Sequence, residues 1–341
     1  MQLPPLQVTR AVVQRYCRLI HRYRNDLGQR PLVLPNGDFF PDQFLGDLDS
    51  VRALVGRMQG HAGLSDVPVN VELVDQATLG ALGSCSSGGC GVPQNGGGLE
   101  RVADLGDAWL LRVPTFELRH PVALTTNLVR SLSFIFLVES QADGELLEPP
   151  VDVTADLAAV ALGFGPLMLQ GSYIYAKGCS GPQVASVTKI SVAELAIAVA
   201  LFSLLGDHVI TPALRELEVT QRTVCAEAYE LLRANPALIQ SIRRSALEVS
   251  TQAFELAPSR GFMGRFFSAR KLKNSKLGGI RMDAISADLD LDEVEALLID
   301  MPPSSRAGRT QSRPSRRPEQ DELAALVAES LNAESLNEAG A

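Results

Sequence analysis

The stretch "TTNLVRSLSFIFLVES", Thr125 to Ser140, sets one cation in the middle of an apolar run. Read at 3.6 residues per turn, Asn127, Arg130, Ser131 and Phe134 share one stripe, while Leu128, Leu132, Ile135 and Phe136 fall elsewhere around the helix. A helix so apolar on its other sides belongs in a core. A buried arginine is costly there unless something pairs with it. The fold must therefore bring a partner to Arg130.

The rest of the composition fits a chain that can build such a core. Its 341 residues are 46% hydrophobic and 21% charged, enough for one or two globular domains. A net charge of -8 argues against a nucleic-acid role for the chain as a whole. No basic segment followed by an apolar one opens the sequence, so no secretion signal is expected. Cys17, Cys85, Cys90, Cys179 and Cys225 are odd in number and scattered, which reads as reduced thiols in a cytoplasm. Leu157 to Ala176 runs for twenty residues without a charge, long enough to cross a bilayer. Gly163, Gly165, Pro166, Gln170 and Gly171 interrupt that run, and Asp156 and Lys177 flank it. A buried core helix is therefore expected rather than a membrane span.

The order of segments predicts an α+β fold that is mainly helical, with a small sheet on the N-terminal side. A helix from Val8 carries Val12, Val13, Tyr16, Leu19 and Ile20 at helical spacing and is expected to stop at Gly28. Turn chemistry at Asn36-Gly37 marks an irregular segment lying across the core through Phe39 and Phe40. A helix over 48–60 leads to a half-buried strand in which Val69, Val71 and Leu73 alternate with Asn70 and Glu72. The glycine-rich loop "GSCSSGGCGVPQNGGG" precedes a second strand from Ala108. After the opening helix, helices are expected over Val153–Tyr175, Ser191–Leu205 and Pro212–Ala234, with further amphipathic helix over 216–221 and Gln240–Ala253. Ser191 and Glu194 have capping-box spacing. These segments, 1–257, form the predicted globular domain.

Beyond it the character changes. Residues 258–301 combine a basic connector, with Arg260, Arg265, Arg270 and Lys271 among three phenylalanines, and an acidic helix. Asp288, Asp290 and Asp292 lack the glycine and distal glutamate of a calcium loop, so a helix N-terminus is the better reading. Residues 302–318 have the composition of a disordered linker. In 319–341 an amphipathic helix sets Leu323, Leu326, Val327 and Leu331 on one face, which a short tethered helix cannot bury alone. That face either folds back or docks into a partner protein's groove.

Few motifs carry chemistry. No glycine-rich phosphate loop follows a strand, and "GSCSSGG" only approximates a nucleophile elbow. Cys85 and Cys90 offer two ligands for zinc where a structural site needs four. His21, His61, His120 and His208 are isolated from one another. No cofactor is expected.

The opening stretch gains meaning from a resemblance. The phrases "LPNGDFFPDQFLGDLDSVRALVGRM", "HPVALTTNLVRSLSFIFL", "DVTADLAAVALGFGPLM" and "ISVAELAIAVALFSLL" resemble, in order, a little-characterised family of bacterial proteins with a zinc-peptidase-type core. The resemblance spans about residues 30 to 205 and implies a zincin-like helical core. Such a family carries His-Glu-x-x-His on the first of these helices and an acidic residue after Thr on the next. Here Arg130 stands at the first histidine, Ser131 at the glutamate and Phe134 at the second histidine, leaving Asp156 at the acidic position. Two imidazoles one turn apart clamp zinc, and the carboxylate between them takes the proton from bound water. Arginine and phenylalanine can do neither.

On this register the metal site is dismantled, and an Arg130–Asp156 ion pair is expected to replace it as the link between the helices. The alternative has Arg130 snorkelling to solvent and Asp156 capping a helix. The resemblance implies a non-catalytic pseudopeptidase that acts as an interaction, scaffold or regulatory protein. Two other classes remain: a metal-dependent hydrolase drawing ligands from His120, Glu139, Asp156 or the Cys85/Cys90 loop, and a membrane-associated protein.

Overall fold

The first helix, α1 (Leu6–Arg22), turns Val12, Val13, Tyr16, Cys17 and Leu19 inward and gives Arg18 and Arg22 to the surface carboxylates of Glu148 and Glu145. It ends earlier than expected. Tyr23 breaks it, and Gly28, at φ 54°, closes a separate turn, α2 (Arg24–Leu27). The computed structural model describes residues 3–75, 99–141, 145–178 and 181–257, all within the first of the chain's two units, Met1–Lys276. The glycine-rich loop with Cys85 and Cys90, the basic connector, the linker and the predicted C-terminal helix with Leu323, Leu326, Val327 and Leu331 lie outside the described residues.

The irregular segment after α2 behaves as its turn chemistry suggests. Asn36 accepts the N–H of Phe40 on its carbonyl and that of Asp38 on its side chain. Phe39 and Phe40 are half-buried, each set edge-on to His61. That histidine belongs to α3 (Leu48–Ala62), which Asp47 and Ser50 cap reciprocally and Gly63 ends in the left-handed conformation. Three strands follow: β1 (Val69–Val74), β2 (Val102–Asp104) and β3 (Trp109–Pro114). They pair in the order β1-β3-β2, with β1 parallel and β2 antiparallel to the central strand. Alternation along β3 buries Trp109, Leu111 and Val113, so the sheet presents one face to the core.

Helix α4 (Pro121–Glu139) contains the opening stretch, with Pro121 in its first turn. It packs on α5 (Val151–Ala159). The continuous helix expected over Val153–Tyr175 is interrupted. A single π turn, Val160–Phe164, joins α5 to α6 (Gly165–Ser172), and Gly163 sits in it at φ 97°. Two neighbours explain the break. The Gly163 carbonyl accepts the N–H of Val33 at 2.9 Å, and a Cβ on Gly163 would overlap the Pro31 carbonyl oxygen. The chain after α2 thus lies as a strap directly on the helix, where only glycine has both the conformation and the space. Tyr175 is not helical either. It lies in β4 (Ile174–Gly178), which pairs with β5 (Gly181–Ala185) in an antiparallel hairpin absent from the sequence expectations.

The capping box expected at Ser191 and Glu194 opens α7 (Val192–Leu205). This helix is apolar all round, the pattern of an element enclosed by others. It packs against α1, α6 and, later in the chain, α9 and α10. The helix expected over Pro212–Ala234 is two, α8 (Thr211–Arg215) and α9 (Val219–Arg233). Carbonyls freed between them accept from side chains: Gln170 donates to that of Glu216 and Arg222 to that of Leu217. Residues 216–218 therefore form a turn, and 219–221 begin α9. The last segment begins earlier than expected and also divides, into α10 (Pro236–Arg244) and α11 (Ala246–Thr251), where the Ser245 side chain caps the second.

Two stretches, Pro121–Glu139 and Val151–Ser172, are long and apolar enough to cross a membrane by length and composition. Their most apolar windows are 72% and 83% buried inside the protein, the placement of core helices. The glycines that interrupt the second stretch serve packing: a Cβ at Gly165 would meet Val199 of α7, and one at Gly171 would meet Thr126 of α4.

The strap contact gives a direct test. Gly163→Ala forces a residue with φ of 97° against a backbone carbonyl and is expected to cost more than about 3 kcal/mol or to prevent folding. Gly56→Ala, on a solvent-exposed turn of α3 with nothing within reach of a Cβ, is expected to stabilise by about 0.5 to 1 kcal/mol. Urea unfolding of the two variants measures both.

Candidate functional site

Arg130 lies in the middle of α4 with 1% of its surface exposed. Its Nε–H donates to Asp156 Oδ1 at 2.5 Å, and its Nη2 lies 3.1 Å from Asp152 Oδ1. Asp152 and Asp156 stand one turn apart on α5, the spacing that puts two side chains on the same helix face. Asp152 closes the outer end of the site at 37% exposure, whereas Asp156 is wholly buried. The other oxygen of Asp156 accepts the backbone N–H of Lys189 at 2.6 Å and of Ile190 at 3.2 Å. One carboxylate thus ties α4, α5 and the segment leading into α7.

The expected Arg130–Asp156 pair is present, and Arg130 does not snorkel. Asp156 is inside α5 and caps no helix. Burial pushes the Asp156 carboxyl above its ordinary range, while the Arg130 charge and N–H and the two backbone N–H groups pull it back. All three hydrogen bonds are received by its oxygens. The geometry therefore serves the carboxylate, with the guanidinium as counter-ion.

The other members of the α4 stripe go elsewhere. Asn127 donates at 3.0 Å to Glu117, which is fully buried and holds Arg101 at 2.7 Å through its two terminal nitrogens, Nη1 and Nη2. Through Asn127 this second buried ion pair fastens α4 to the turn before β2, while the Asn127 side-chain oxygen, Oδ1, has no hydrogen bond among the described residues. Phe134 sits edge-on to Trp109 of β3, whose indole N–H reaches Glu139 at 2.5 Å. Ser131 is buried. The structure therefore gathers Arg130, Asp152 and Asp156, and directs Asn127 and Phe134 to separate partners.

The alternative ligand set is dispersed. His120 and Glu139 flank and end the same helix, about 28 Å apart at 1.5 Å per residue. Asp156 is engaged by Arg130 and two backbone groups. His61 packs between Phe39 and Phe40, and His208 stacks on Phe202. Among the described residues no three His, Cys, Asp or Glu side chains are placed to hold a metal ion. Cys85 and Cys90 lie outside those residues. Cys17 and Cys225 are buried free thiols, each pushed by burial up to about 12.

Sequence reasoning missed Asp152, Arg101 and Glu117. A signal existed for the first, since Asp152 and Asp156 are four apart on one helix. Glu117 and Arg101 come from short irregular turns, where no periodicity announces burial. Comparisons with protein families, with curated proteins and with solved structures found no match for this chain.

Two outcomes test the site. Asp156→Ala strands a buried guanidinium and two N–H groups and is expected to cost about 3 to 5 kcal/mol, while Asp152→Asn, at the exposed end, costs about 1 kcal/mol or less. The double variant Arg130→Met/Asp156→Leu should lose less than Asp156→Ala alone, a comparison that urea unfolding makes directly. Thiol labelling near pH 8, about the pKa of an unperturbed cysteine, should leave Cys17 and Cys225 unmodified in the native protein. Both should label after unfolding, as read by peptide mass.

Proposed function

We propose that this protein is a non-catalytic pseudopeptidase, an interaction or scaffold protein whose core keeps the helix arrangement of the zinc-peptidase-type family it resembles. One observation carries the reading. At the position where that resemblance would seat a metal, a guanidinium fills the space and takes up the remaining carboxylate at 2.5 Å. A dication there would meet a fixed positive charge and lose its acidic ligand, and a substrate would find no opening to a pair that is 1% and 0% exposed. Arg130 supplies the inter-helix link, Asp152 and Asp156 receive it, and no residue of the cluster is left to activate water.

In this reading the work is done by a segment other than the Arg130 cluster. The sequence of 319–341, with Leu323, Leu326, Val327 and Leu331 on one face, is the docking element for a protein partner, and the chain acts in the cytoplasm. The acidic balance disfavours nucleic acid as that partner.

Metal content and truncation test the two halves separately. Purified protein dialysed against zinc-free buffer is expected to retain far less than one zinc per chain, and stoichiometric retained zinc would overturn the non-catalytic core. Deleting residues 302–341 should abolish partner capture in a pull-down while leaving the unfolding transition of the core unchanged. Capture that survives the deletion would move the docking surface elsewhere.

A further inference from the structure

The segment after α2, α3, the start of α4 and α6 line a half-open cavity of about 390 Å³. Its size falls in the range of small-molecule sites, about 300 to 1,000 Å³. Phe40, Leu54, Val122, Leu124 and Leu167 make its walls predominantly apolar. The cavity has none of the buried ion pairs described above in its lining. It is separate from the Arg130 cluster, whose residues are not among its lining.

The charge and polarity of the lining define what fits. Among the described residues the charged ones that line it are Asp42 and Arg57, which neutralise each other at 2.9 Å. The described lining therefore carries no net charge, and a charged ligand would lose hydration against hydrocarbon without a free counter-ion from it. Gln170 adds direction. Its amide nitrogen is committed to the Glu216 carbonyl at 2.9 Å, and its amide oxygen accepts no hydrogen bond among the described residues. Gln170 lines the cavity, so a side chain with an unused acceptor stands at its wall. Phe44, 38% exposed, stands in its lining as a partly open side chain.

We propose that this cavity is a binding site for a small uncharged molecule with an aromatic or aliphatic body and one N–H or O–H donor, which Gln170 receives. The walls supply affinity through burial, and the Asp42–Arg57 pair excludes neither sign by itself but offers no unpaired charge to either. This inference does not depend on the reading of the Arg130 cluster, because none of its residues belongs to that cluster.

A matched pair of fluorescent probes tests it on the full chain. N-phenylnaphthylamine is neutral and carries one N–H, while anilinonaphthalene sulfonate has the same rings and a fixed negative charge. The neutral probe should bind saturably at one per chain, and the anionic one roughly tenfold or more weakly, the penalty expected for an unpaired charge at an apolar site. Leu54→Trp, which fills the cavity from α3, should weaken the neutral probe by roughly tenfold or more. Thr125→Trp, from the half-exposed first turns of α4, should do the same if the first variant fails to fold. Equal binding of the two probes, unsaturable fluorescence, or unchanged affinity in the folded variants would overturn the proposal.

Discussion

A buried guanidinium fixes the layout of the core. Arg130 is inserted where α4, α5 and the approach to α7 meet, and each of these is tied to the others through a single carboxylate. Taken alone, burying such a pair is close to neutral in stability, since both ions lose their water. Its effect is positional. Once the charge is inside, any arrangement that separates Arg130 from Asp156 leaves an uncompensated ion, and the alternatives become expensive. The apolar helices around it have no such discrimination of their own. α7 in particular offers hydrophobic surface in every direction and would pack tolerably in several orientations.

α4 shows the same principle along its length. Asn127 is engaged by Glu117, Arg130 by Asp156, and Glu139 by Trp109, so polar contacts secure the helix near its start, middle and end. Between them Leu128, Leu132 and Ile135 supply the burial. The hydrocarbon provides most of the driving force, and the polar contacts define which way the helix faces.

How much of this could be read from the amino-acid order depends on the range of the interaction. Periodic and local signals were legible: the alternation in β1, the capping box of α7, and the need of Arg130 for a carboxylate. The pairing with Asp156 followed from the resemblance and from charge, and the distance agrees with it. What failed was non-local. Nothing around Gly163 announces that residues 31 to 33 will cross it, so a run of twenty uncharged residues looks like one helix. The β4–β5 hairpin hides in the same run, because Ile174 and Tyr175 continue its apolar character while their backbone has already turned extended. The cavity beside Gln170 was equally invisible, being assembled from four segments that no pattern relates. Glu117 and Arg101 illustrate a further limit, since burial of a charge in a short turn leaves no trace in spacing.

The strap over Gly163 also bears on how the chain can be divided. The hydrogen bond from Val33 to Gly163 joins residues 130 positions apart, and α1, just before the strap, packs against both α7 and α11 near the other end of the described chain. Neither end of the described region holds a self-sufficient piece of the hydrophobic core. A fragment that begins after residue 34 would carry an exposed seam along α5, α7 and α11, and one that ends before α7 would lack the helix about which the others are arranged. Such sequence-distant stitching raises the contact order of the region and slows its folding. Cutting the region into smaller parts would therefore yield pieces with unsatisfied surfaces, and the natural unit of handling is the whole stretch from α1 to α11.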